Sequence, residues 1–457
     1  MLPAAIFREY DIRGTVGDQL TPDAAASIGR AFAALAREHL GRAPALAIGR
    51  DNRPSGAALT AGLTDGLVAA GVRVVDTGEL PTPALYFATH TLSVDGGVQV
   101  TGSHNPPEFN GFKMVLDGQA VFGEDIQRLR RIIADGPPEP VPGGVRTTET
   151  GVLGAYRAAI VRRNTPLLRP VRVVVDCGNG VTSLVAVETL RELGADVVPL
   201  FAESDGTFPN HHPDPTVVEN LRDLQAAVRR EGAELGIGFD GDGDRIGAVD
   251  ETGRPVYGDL LLLLFGRDLV HRMGRGHSVI FDVKCSAILP RELERAGLAP
   301  VMWKTGHSLI KAKMKELGAP LAGEMSGHMF FGGDYFGFDD ALFAAARLIH
   351  YVAREGGPLS RLLADLPPLV ATPEMRVPCP DEQKFAIVER AARHFAAIHP
   401  VSTLDGVRIS FPDGWGLLRA SNTQPVLVLR FEASSEAALA ANRAEVEDWL
   451  ARNGIRP

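Results

Sequence analysis

The chain has 457 residues, which is more than one hydrophobic core usually supports, so we expect two to four domains. Hydrophobic residues make up 45% of the chain and charged residues 23%, a composition typical of a soluble globular protein. The formal net charge of −9 argues against nucleic acid as a main partner. An anionic ligand would therefore need a local cluster of Lys and Arg.

Cysteine usage and hydropathy both predict a cytoplasmic protein. Cys177, Cys285 and Cys379 lie far apart without the spacing of a metal site, which fits a reducing compartment. The longest aliphatic run, residues 260–265, is too short to cross a bilayer. The N-terminal segment carries charges where a signal peptide needs an apolar core. We expect no membrane partner, and we predict a monomer.

Three stretches share one pattern, in which an apolar β-branched run ends in Asp and is followed by a polar loop and a helical period. The runs are residues 45–51, 171–176 and 278–282, and a helix is predicted over 181–193 after the second run. A continuous apolar strand followed by a crossover helix is typical of a buried parallel or mixed sheet. The pattern therefore predicts an α/β chain with three similar mixed-sheet domains.

Shifts in composition predict the domain boundaries. They lie at a Pro- and Gly-rich stretch, at a turn before residue 255 and at a Leu-Pro-Pro-Leu sequence, and they define domains at 1–150, 151–254, 255–368 and 369–457. In the last domain two strands flank a loop, at 407–411 and 426–431, between helices at 381–398 and 435–451. This order predicts a smaller α+β domain at the C-terminus.

A Thr-Gly-Ser-His-Asn-Pro segment at 101–106 follows a strand predicted at 97–100. Gly102 permits unusual backbone angles and Pro106 stiffens the exit, so Ser103 would project from a constrained loop. A serine there could act as a nucleophile and carry a phosphoryl group. A solvent-exposed polar turn can have the same sequence, so the loop alone leaves both interpretations open. Lys113 is predicted to lie in the next strand, at 111–115.

Asp240, Asp242 and Asp244 alternate with glycine and are followed at once by Arg245. Three carboxylates this close repel one another unless a cation compensates them, and oxygen ligands favour Mg²⁺, Mn²⁺ or Ca²⁺ over zinc. A calcium EF-hand competes, because Glu251 stands at its last ligand position. Arg245, however, occupies the position that needs glycine, and the flanks read as strands at 235–239 and 246–249. A metal held against a phosphorylated serine is the favoured interpretation.

Two further segments carry groups suited to a sugar phosphate. The Gly-Glu-Met-Ser-Gly-His segment at 323–328 combines a carboxylate with a hydroxyl, and a carboxylate can accept two hydrogen bonds from vicinal sugar hydroxyls. The segment at 419–425 places one Arg and several small donors just before a strand, which suits a phosphate dianion. Either string alone could be an ordinary polar loop. The glycines at 178 and 180 lack the third glycine of a dinucleotide fingerprint, whose position holds Ser183, so NAD is not expected.

Together these segments resemble the α-D-phosphohexomutase superfamily, and most closely its bacterial phosphomannomutase/phosphoglucomutase branch. The resemblance covers essentially the whole chain, with one signature in each predicted domain and in the family's order. It implies three related α/β domains and a C-terminal α+β domain around a central cleft to which all four contribute. It also implies an enzyme, an intramolecular phosphotransferase (isomerase) whose partners are small sugar phosphates.

The resemblance implies a role for each segment. Ser103 would be the phosphoserine, and a phosphate oxygen on it would bind Mg²⁺ together with Asp240, Asp242 and Asp244. The reacting phosphoryl group would be surrounded by His104, Lys113 and Arg245. The sugar would be recognised by Glu324, Ser326 and His328, and the distal phosphate would be held by Arg419, Ser421, Asn422 and Thr423. Further cleft residues would be Tyr10, Arg13, Lys284 and His307.

The implied reaction moves phosphate between C1 and C6 of mannose and glucose phosphates. It would pass through a hexose 1,6-bisphosphate, which serves as intermediate and activator. Lys113 is the first choice for the base and His104 the second, and a lysine would need a lowered pKa for this role. Met325 favours the mannose/glucose branch, because phosphoglucosamine mutases typically carry Gln there. The alternatives are phosphoglucosamine mutase, a metal-dependent phosphatase and a calcium-binding protein.

Overall fold

The first of the chain's four sheets contains the N-terminal strands. A computed structural model describes residues 2–136, 139–164 and 166–456, and within them the strands form four sheets. The first sheet has the order β1-β5-β4-β2-β3-β7, with β6 paired to β5. Its strands are β1 (Ile12–Thr15), β2 (Ala45–Arg50), β3 (Arg73–Glu79), β4 (Gly96–Val100), β5 (Phe109–Leu116), β6 (Gln119–Ala120) and β7 (Val145–Thr148). Its helices are α1 (Pro22–Leu40), α2 (Gly56–Ala69), α3 (Thr82–Thr91) and α4 (Glu124–Ala134).

The second sheet has the order β12-β11-β10-β8-β9. Its strands are β8 (Arg172–Asp176), β9 (Asp196–Leu200), β10 (Leu235–Phe239), β11 (Ile246–Asp250) and β12 (Pro255–Val256), and the helices here are α5 (Val152–Arg163), α6 (Ala186–Glu192) and α7 (Arg222–Glu231). The helix predicted over 181–193 begins with a 3₁₀ turn, Val181–Leu184, before α6. Because β12 pairs with β11, this sheet extends two residues past the boundary predicted at 254. The three predicted domain boundaries otherwise stay predictions.

The third sheet has the order β14-β13-β15-β16. Its strands are β13 (Ser278–Asp282), β14 (Ala299–Trp303), β15 (Leu321–Gly323) and β16 (Met329–Phe331), and its helices are α8 (Gly258–Met273), α9 (Ile288–Ala296), α10 (His307–Leu317) and α11 (Ala341–Glu355). Asp340 begins α11 by accepting a hydrogen bond from the backbone N–H of Phe343, which satisfies one free donor of the first turn.

The fourth sheet is antiparallel, with the order β17-β22-β21-β20-β19 and β18 paired to β22. Its strands are β17 (Val370–Ala371), β18 (Met375–Pro378), β19 (Val401–Ser402), β20 (Val407–Phe411), β21 (Gly414–Ala420) and β22 (Val426–Ala433), and its helices are α12 (Asp381–Ala396) and α13 (Glu436–Arg452). The prediction of a loop between the strands at 407–411 and 426–431 was wrong, because β21 lies there and contains Arg419. A Cβ at Gly414 would lie 2.1 Å from the carbonyl oxygen of Glu432, so the close pairing of β21 with β22 requires glycine.

The first three sheets repeat one arrangement. Strands β2, β8 and β13 each pair in parallel with two neighbours, and one of those neighbours is in turn followed by an antiparallel strand. The connections β4–β5, β10–β11 and β15–β16 are therefore equivalent, and each leaves the carboxyl end of a buried strand. These three connections carry the predicted serine, aspartate and glutamate segments. The predicted fold class, three similar α/β units and a smaller α+β unit, is confirmed.

The apolar core shows how the four units are joined. One buried cluster runs through the first three units, from Ala47 through Val173 to Phe343. The fourth unit has its own core and meets the third through a small cluster that includes Trp415, and through polar contacts such as Arg430 with Asp259 at 3.5 Å. In the part of the chain that the structure describes, no helix is long and apolar enough to cross a membrane.

Candidate active site

Ser103 lies deep in the molecule, on the connection that follows β4. Its side chain is buried, and its backbone is in the left-handed region with φ 51°. The hydroxyl donates to Asp240 Oδ2 at 3.2 Å, and Oγ lies 3.3 Å from Nδ1 of His104. The serine predicted from one segment and the aspartate predicted from another are therefore in direct contact.

The aspartate turn between β10 and β11 is organised by Asp240. Its Oδ1 accepts hydrogen bonds from the backbone N–H groups of Gly243, Asp244 and Arg245 at 3.0–3.1 Å. A Cβ at Gly241 would lie 2.5 Å from the carbonyl oxygen of Ser103, so glycine is what lets this turn reach the serine loop. The strands on both sides are those predicted, and they exclude the helices of an EF-hand. Glu251 points elsewhere and accepts a hydrogen bond from Ser360.

Two cations compensate the aspartates. Lys113 Nζ, on β5, donates to Asp242 at 2.7 Å and to Asp244 at 2.5 Å, and Arg245 Nε lies 3.9 Å from Asp240. Burial raises the pKa of Asp244, but Lys113, His328 and Arg245 together lower that pKa below its usual value. Burial and the neighbouring carboxylates raise the pKa of Asp240.

The same contacts bear on the choice of base. Burial opposes the charge of Lys113, yet the carboxylates of Asp242 and Asp244 raise its pKa. A lysine base needs a lowered pKa, so this environment contradicts the preference for Lys113. Burial lowers the pKa of His104, with a further contribution from Arg245, which keeps the imidazole neutral beside Ser103. These two pKa directions favour His104 over Lys113, and the identity of the base stays a prediction.

The aspartates also fit a hard divalent cation. One carboxylate oxygen from each of Asp240, Asp242 and Asp244 lies within 4.8 Å of the others. Oδ1 of Asp242 and Oδ1 of Asp244 are buried without a hydrogen-bond partner among the described residues. Buried carboxylate oxygens rarely lack a partner, so these two are available to a metal ion.

A second group of charges extends this half of the site into the third unit. Arg245 Nε donates to Nε2 of His328 at 2.9 Å, and Nδ1 of His328 lies 2.9 Å from Asp339. Lys311 Nζ donates to Asp339 at 2.9 Å, and the ring of His307 stacks on His328 with centroids 5.4 Å apart. His328, predicted to recognise the sugar, thus contacts the reacting half directly.

Glu324 is the centre of the sugar-recognition loop. It is buried, its carboxylate accepts from the backbone N–H of Gly306, and the hydroxyl of Ser326 donates to it at 3.2 Å. Burial raises the pKa of Glu324, an effect that the nearby His328 opposes. Lys284 Nζ lies 3.2 Å from Glu374 of the fourth unit, so this lysine sits where the third and fourth units meet.

The distal segment forms a cradle at the end of the β21–β22 hairpin. Arg419 is buried and donates to Asp405 at 3.1 Å. Ser421 Oγ accepts from the backbone N–H groups of Thr423 and Gln424 at 3.3 and 3.1 Å. Asn422 Nδ2 donates to the hydroxyl of Tyr10 at 2.6 Å.

Two residues of the N-terminal segment take part in different halves of the site. The Tyr10 hydroxyl donates to the carbonyl of Thr305 at 2.8 Å, so Tyr10 connects the first, third and fourth units. Arg13 Nη1 donates to Oδ1 of Asn105 at 3.1 Å and therefore lies against the serine loop. All the predicted residues thus lie in two neighbouring halves, one around Ser103 and one around Arg419.

Several polar residues of the site were not predicted. Asp339 lies against His328, and Lys311 donates to Asp339. Asp405 pairs with Arg419, and the Thr82 hydroxyl donates to Asp242 at 2.5 Å. None of these residues belongs to a motif. Asp339 stands directly before the cap of α11, and a carboxylate beside a helix start is too common a pattern to indicate a site.

Comparisons with known proteins agree with this geometry. The chain matches four successive family descriptions: phosphoglucomutase/phosphomannomutase alpha/beta/alpha domains I, II and III over residues 4–138, 155–253 and 257–370, and the C-terminal domain over 374–448. The phosphomannomutase/phosphoglucomutase of Pseudomonas aeruginosa is 49% identical over 440 residues, 96% of this chain and 94% of the relative. The phosphoglucomutase of Neisseria gonorrhoeae is 46% identical and covers 95% of this chain, with 94% of the relative covered.

Solved structures give the same result. A phosphoglucomutase/phosphomannomutase family protein from Burkholderia thailandensis superposes with a TM-score of 0.91 at 46% identity, covering 98% of both chains. Fold and site together define a phosphohexomutase of four units. The chain belongs to the phosphoglucomutase/phosphomannomutase family, and it is an enzyme of the isomerase class.

Proposed function

We propose that this enzyme moves phosphate between C1 and C6 of hexose phosphates, with Ser103 as the phosphoryl carrier and a hexose 1,6-bisphosphate as the intermediate. The contact between Ser103 Oγ and Asp240 at 3.2 Å carries the proposal, because it places a hydroxyl nucleophile against three carboxylates that suit a metal. The cradle around Arg419 supplies a second anion site, which a bisphosphate requires. A simple phosphatase needs no such second site.

Phosphoryl transfer requires alignment and charge neutralisation more than covalent chemistry. The phosphoryl group would leave Oγ of Ser103 for the free hydroxyl of the sugar, and the second phosphate would return to Oγ after the intermediate has turned over. Mg²⁺, held by Asp240, Asp242 and Asp244, would supply charge neutralisation at the phosphoryl oxygens. Arg245 lies on the same side and would bind the phosphoryl oxygens as a guanidinium.

Proton transfer is assigned to His104. The sugar hydroxyl loses a proton as it is phosphorylated, and a neutral imidazole can accept it. Lys113 Nζ already donates to two carboxylates and has no free lone pair. We assign Lys113 instead to charge compensation of the aspartates.

The sugar-recognition loop supports dual specificity. One cradle has to hold either phosphate, so the sugar cannot be bound tightly at every hydroxyl. If Glu324 and Ser326 bind O3 and O4, the C2 position is recognised weakly, and C2 is where mannose and glucose differ. Turnover of mannose 1-phosphate, glucose 1-phosphate and glucosamine 1-phosphate should be compared. A preference between mannose and glucose beyond roughly a thousandfold, about 4 kcal/mol in transition-state binding, would contradict dual specificity.

The carrier role of Ser103 can be tested directly. Intact-mass measurement of the purified protein, before and after incubation with glucose 1,6-bisphosphate, should show a species heavier by about 80 Da, and Ser103→Ala should not. Release of inorganic phosphate as the main product would favour the phosphatase instead. The monomeric state and the cytoplasmic location stay predictions.

A further inference from the structure

Both backbone polar groups of Ser103, the N–H and the C=O, are connected through hydrogen bonds to one carboxylate, that of Asp51. The N–H of Ser103 donates to Oγ1 of Thr101 at 2.8 Å, and that hydroxyl donates to Asp51 Oδ2 at 2.7 Å. The carbonyl of Ser103 accepts from Nη2 of Arg53 at 2.7 Å, and Nε of Arg53 donates to the same Asp51 oxygen at 3.1 Å. A closed ring of hydrogen bonds therefore surrounds the backbone of the serine.

Arg53 also holds the rest of the serine loop. Its Nη2 donates to the carbonyl of Asn105 at 2.6 Å, and its Nη1 donates to the carbonyls of Pro106 and Phe109 at 2.6 and 3.0 Å. The Arg53 side chain is fully buried. A guanidinium presents five N–H donors in a rigid planar fork, so one group can fix four carbonyls at once. A lysine ammonium has three donors and cannot reproduce this pattern.

The conformation of the serine loop explains why these hydrogen bonds are needed. Ser103 is in the left-handed region with φ 51°. This conformation costs free energy and persists only where the surrounding structure holds it. Bonds to both the N–H and the C=O fix the two dihedral angles of the residue, and these set the direction of the Cα–Cβ bond. The position of Oγ relative to Asp240 therefore depends on Asp51, Thr101 and Arg53.

Contacts from the second unit cover Arg53 on another side. The Phe208 ring centre lies 5.1 Å from the guanidinium carbon, and Asn52 Nδ2 donates to the carbonyl of Asn179 at 2.7 Å. The second unit also carries the aspartate turn, whose Gly241 lies against the same Ser103 carbonyl that Arg53 binds. Arg53 thus lies where the serine loop and the metal-binding unit are joined.

We propose that Arg53 is a positioning residue, which acts together with Asp51 and Thr101. It orients the Ser103 phosphoryl group towards the metal and towards the sugar hydroxyl. The proposal rests on the proposed function, since it assumes that Ser103 carries the phosphoryl group. Arg53 does not touch the reacting atoms. It acts through the backbone of the serine.

The test separates alignment from binding. Arg53→Lys keeps the charge and loses the fork, and we expect kcat with glucose 1-phosphate to fall about 100-fold while KM changes less than about threefold, as for a misaligned reacting group. Added guanidinium should raise the activity of Arg53→Ala at least about tenfold without affecting the wild type. The ³¹P resonance of the phosphorylated Arg53→Lys protein should shift from its wild-type position, because the phosphoserine environment has changed.

Two further variants complete the test, one as a second probe of the same hydrogen bonds and one as a control. Thr101→Val removes only the hydroxyl between Ser103 N–H and Asp51, and we expect kcat to fall about tenfold with the same KM. Arg37→Ala is the control. It removes an arginine of α1 that donates to the carbonyl of Ala70 at the end of α2, outside the site, so kcat should stay within about twofold of wild type.

The outcomes distinguish this inference from the proposed function. A folded Arg53→Lys protein with kcat within about fivefold of wild type, or with its loss of activity in KM alone, would overturn the inference. If the Arg53 variants do not fold, Thr101→Val decides, and an unchanged kcat there would also overturn it. A wild-type protein that does not interconvert hexose phosphates would instead refute the proposed function.

Discussion

The half of the site around Ser103 and the cradle around Arg419 differ in what holds them. In the first half, the serine, Lys113 and the three aspartates are all at most 4% exposed, and the charges compensate one another. In the cradle, Arg419 and Ser421 are buried, Asn422 is half-buried and Thr423 is exposed, at the end of a single hairpin. The groups around Ser103 are therefore fixed, whereas the cradle is more open, as a site that receives phosphate from either end of the sugar would have to be.

Replacing the nucleophile should have the largest effect. Ser103→Ala is expected to lower kcat by at least about 10⁴-fold, because no other group can carry the phosphoryl group. The melting temperature should stay close to that of the wild type, and a coupled assay of glucose 6-phosphate formation measures the loss. Ser326→Ala, which removes a hydroxyl from the sugar loop, is the matched control and should cost far less. Activity at a tenth of wild type would remove Ser103 from the mechanism.

Removing metal should come next. Chelation followed by desalting is expected to lower turnover by at least about a thousandfold, and added Mg²⁺ should restore it, because the buried oxygens of Asp242 and Asp244 then regain a cation. We expect the loss in kcat and not in KM, because the metal ligands lie in the half around Ser103. The described residues of the cradle form no set of metal ligands. Full activity in protein shown by elemental analysis to be metal-free would contradict this assignment.

In the cradle the effect should fall on binding. Arg419→Ala is expected to raise KM about 30-fold with a small change in kcat, because the guanidinium binds a phosphate that does not react while it is held there. Arg443→Ala on α13, which removes an exposed partner of Glu447, is the control and should leave KM unchanged. An unchanged KM in Arg419→Ala would take Arg419 out of the cradle.

The smallest expected effect concerns a contact between units beside the cradle. Tyr10→Phe removes the hydroxyl that joins the Thr305 carbonyl to Asn422, and the loss of such a bond should raise KM about fivefold. Initial-rate kinetics with glucose 1-phosphate measure this change. Tyr351→Phe, on α11 beside Arg354, provides the comparison. Equal KM values for both variants and the wild type would show that the Tyr10 hydroxyl contributes nothing to binding.

The sequence was most informative where one segment holds a complete chemical pattern. The aspartate turn was predicted because three carboxylates in five residues are electrostatically unusual wherever they occur. The serine loop was predicted from its glycine and proline, and the flanking strands from their apolar runs. The family resemblance then connected segments that local patterns could not relate. The equivalence of the β4–β5, β10–β11 and β15–β16 connections shows why one signature fell in each unit.

Contacts between distant segments were beyond prediction from local patterns. Asp339 matters only because folding brings it against His328, and Lys311 because it pairs with Asp339. Arg53 matters only because four carbonyls converge on it. The direction of the Lys113 pKa shift could not be predicted for the same reason, since it depends on two carboxylates more than 120 residues away. The strand β21 lies where a loop was predicted, and its close pairing with β22 at Gly414 is again a contact between segments.

The position of Lys113 has a consequence for handling the protein. Its ammonium lies between Asp242 and Asp244 and neutralises part of the charge that would otherwise strain an emptied site. The enzyme therefore carries a substitute counter-ion within its own chain. We expect preparations kept in chelating buffer to stay folded, so that loss of activity on storage without magnesium is reversed by simple reloading.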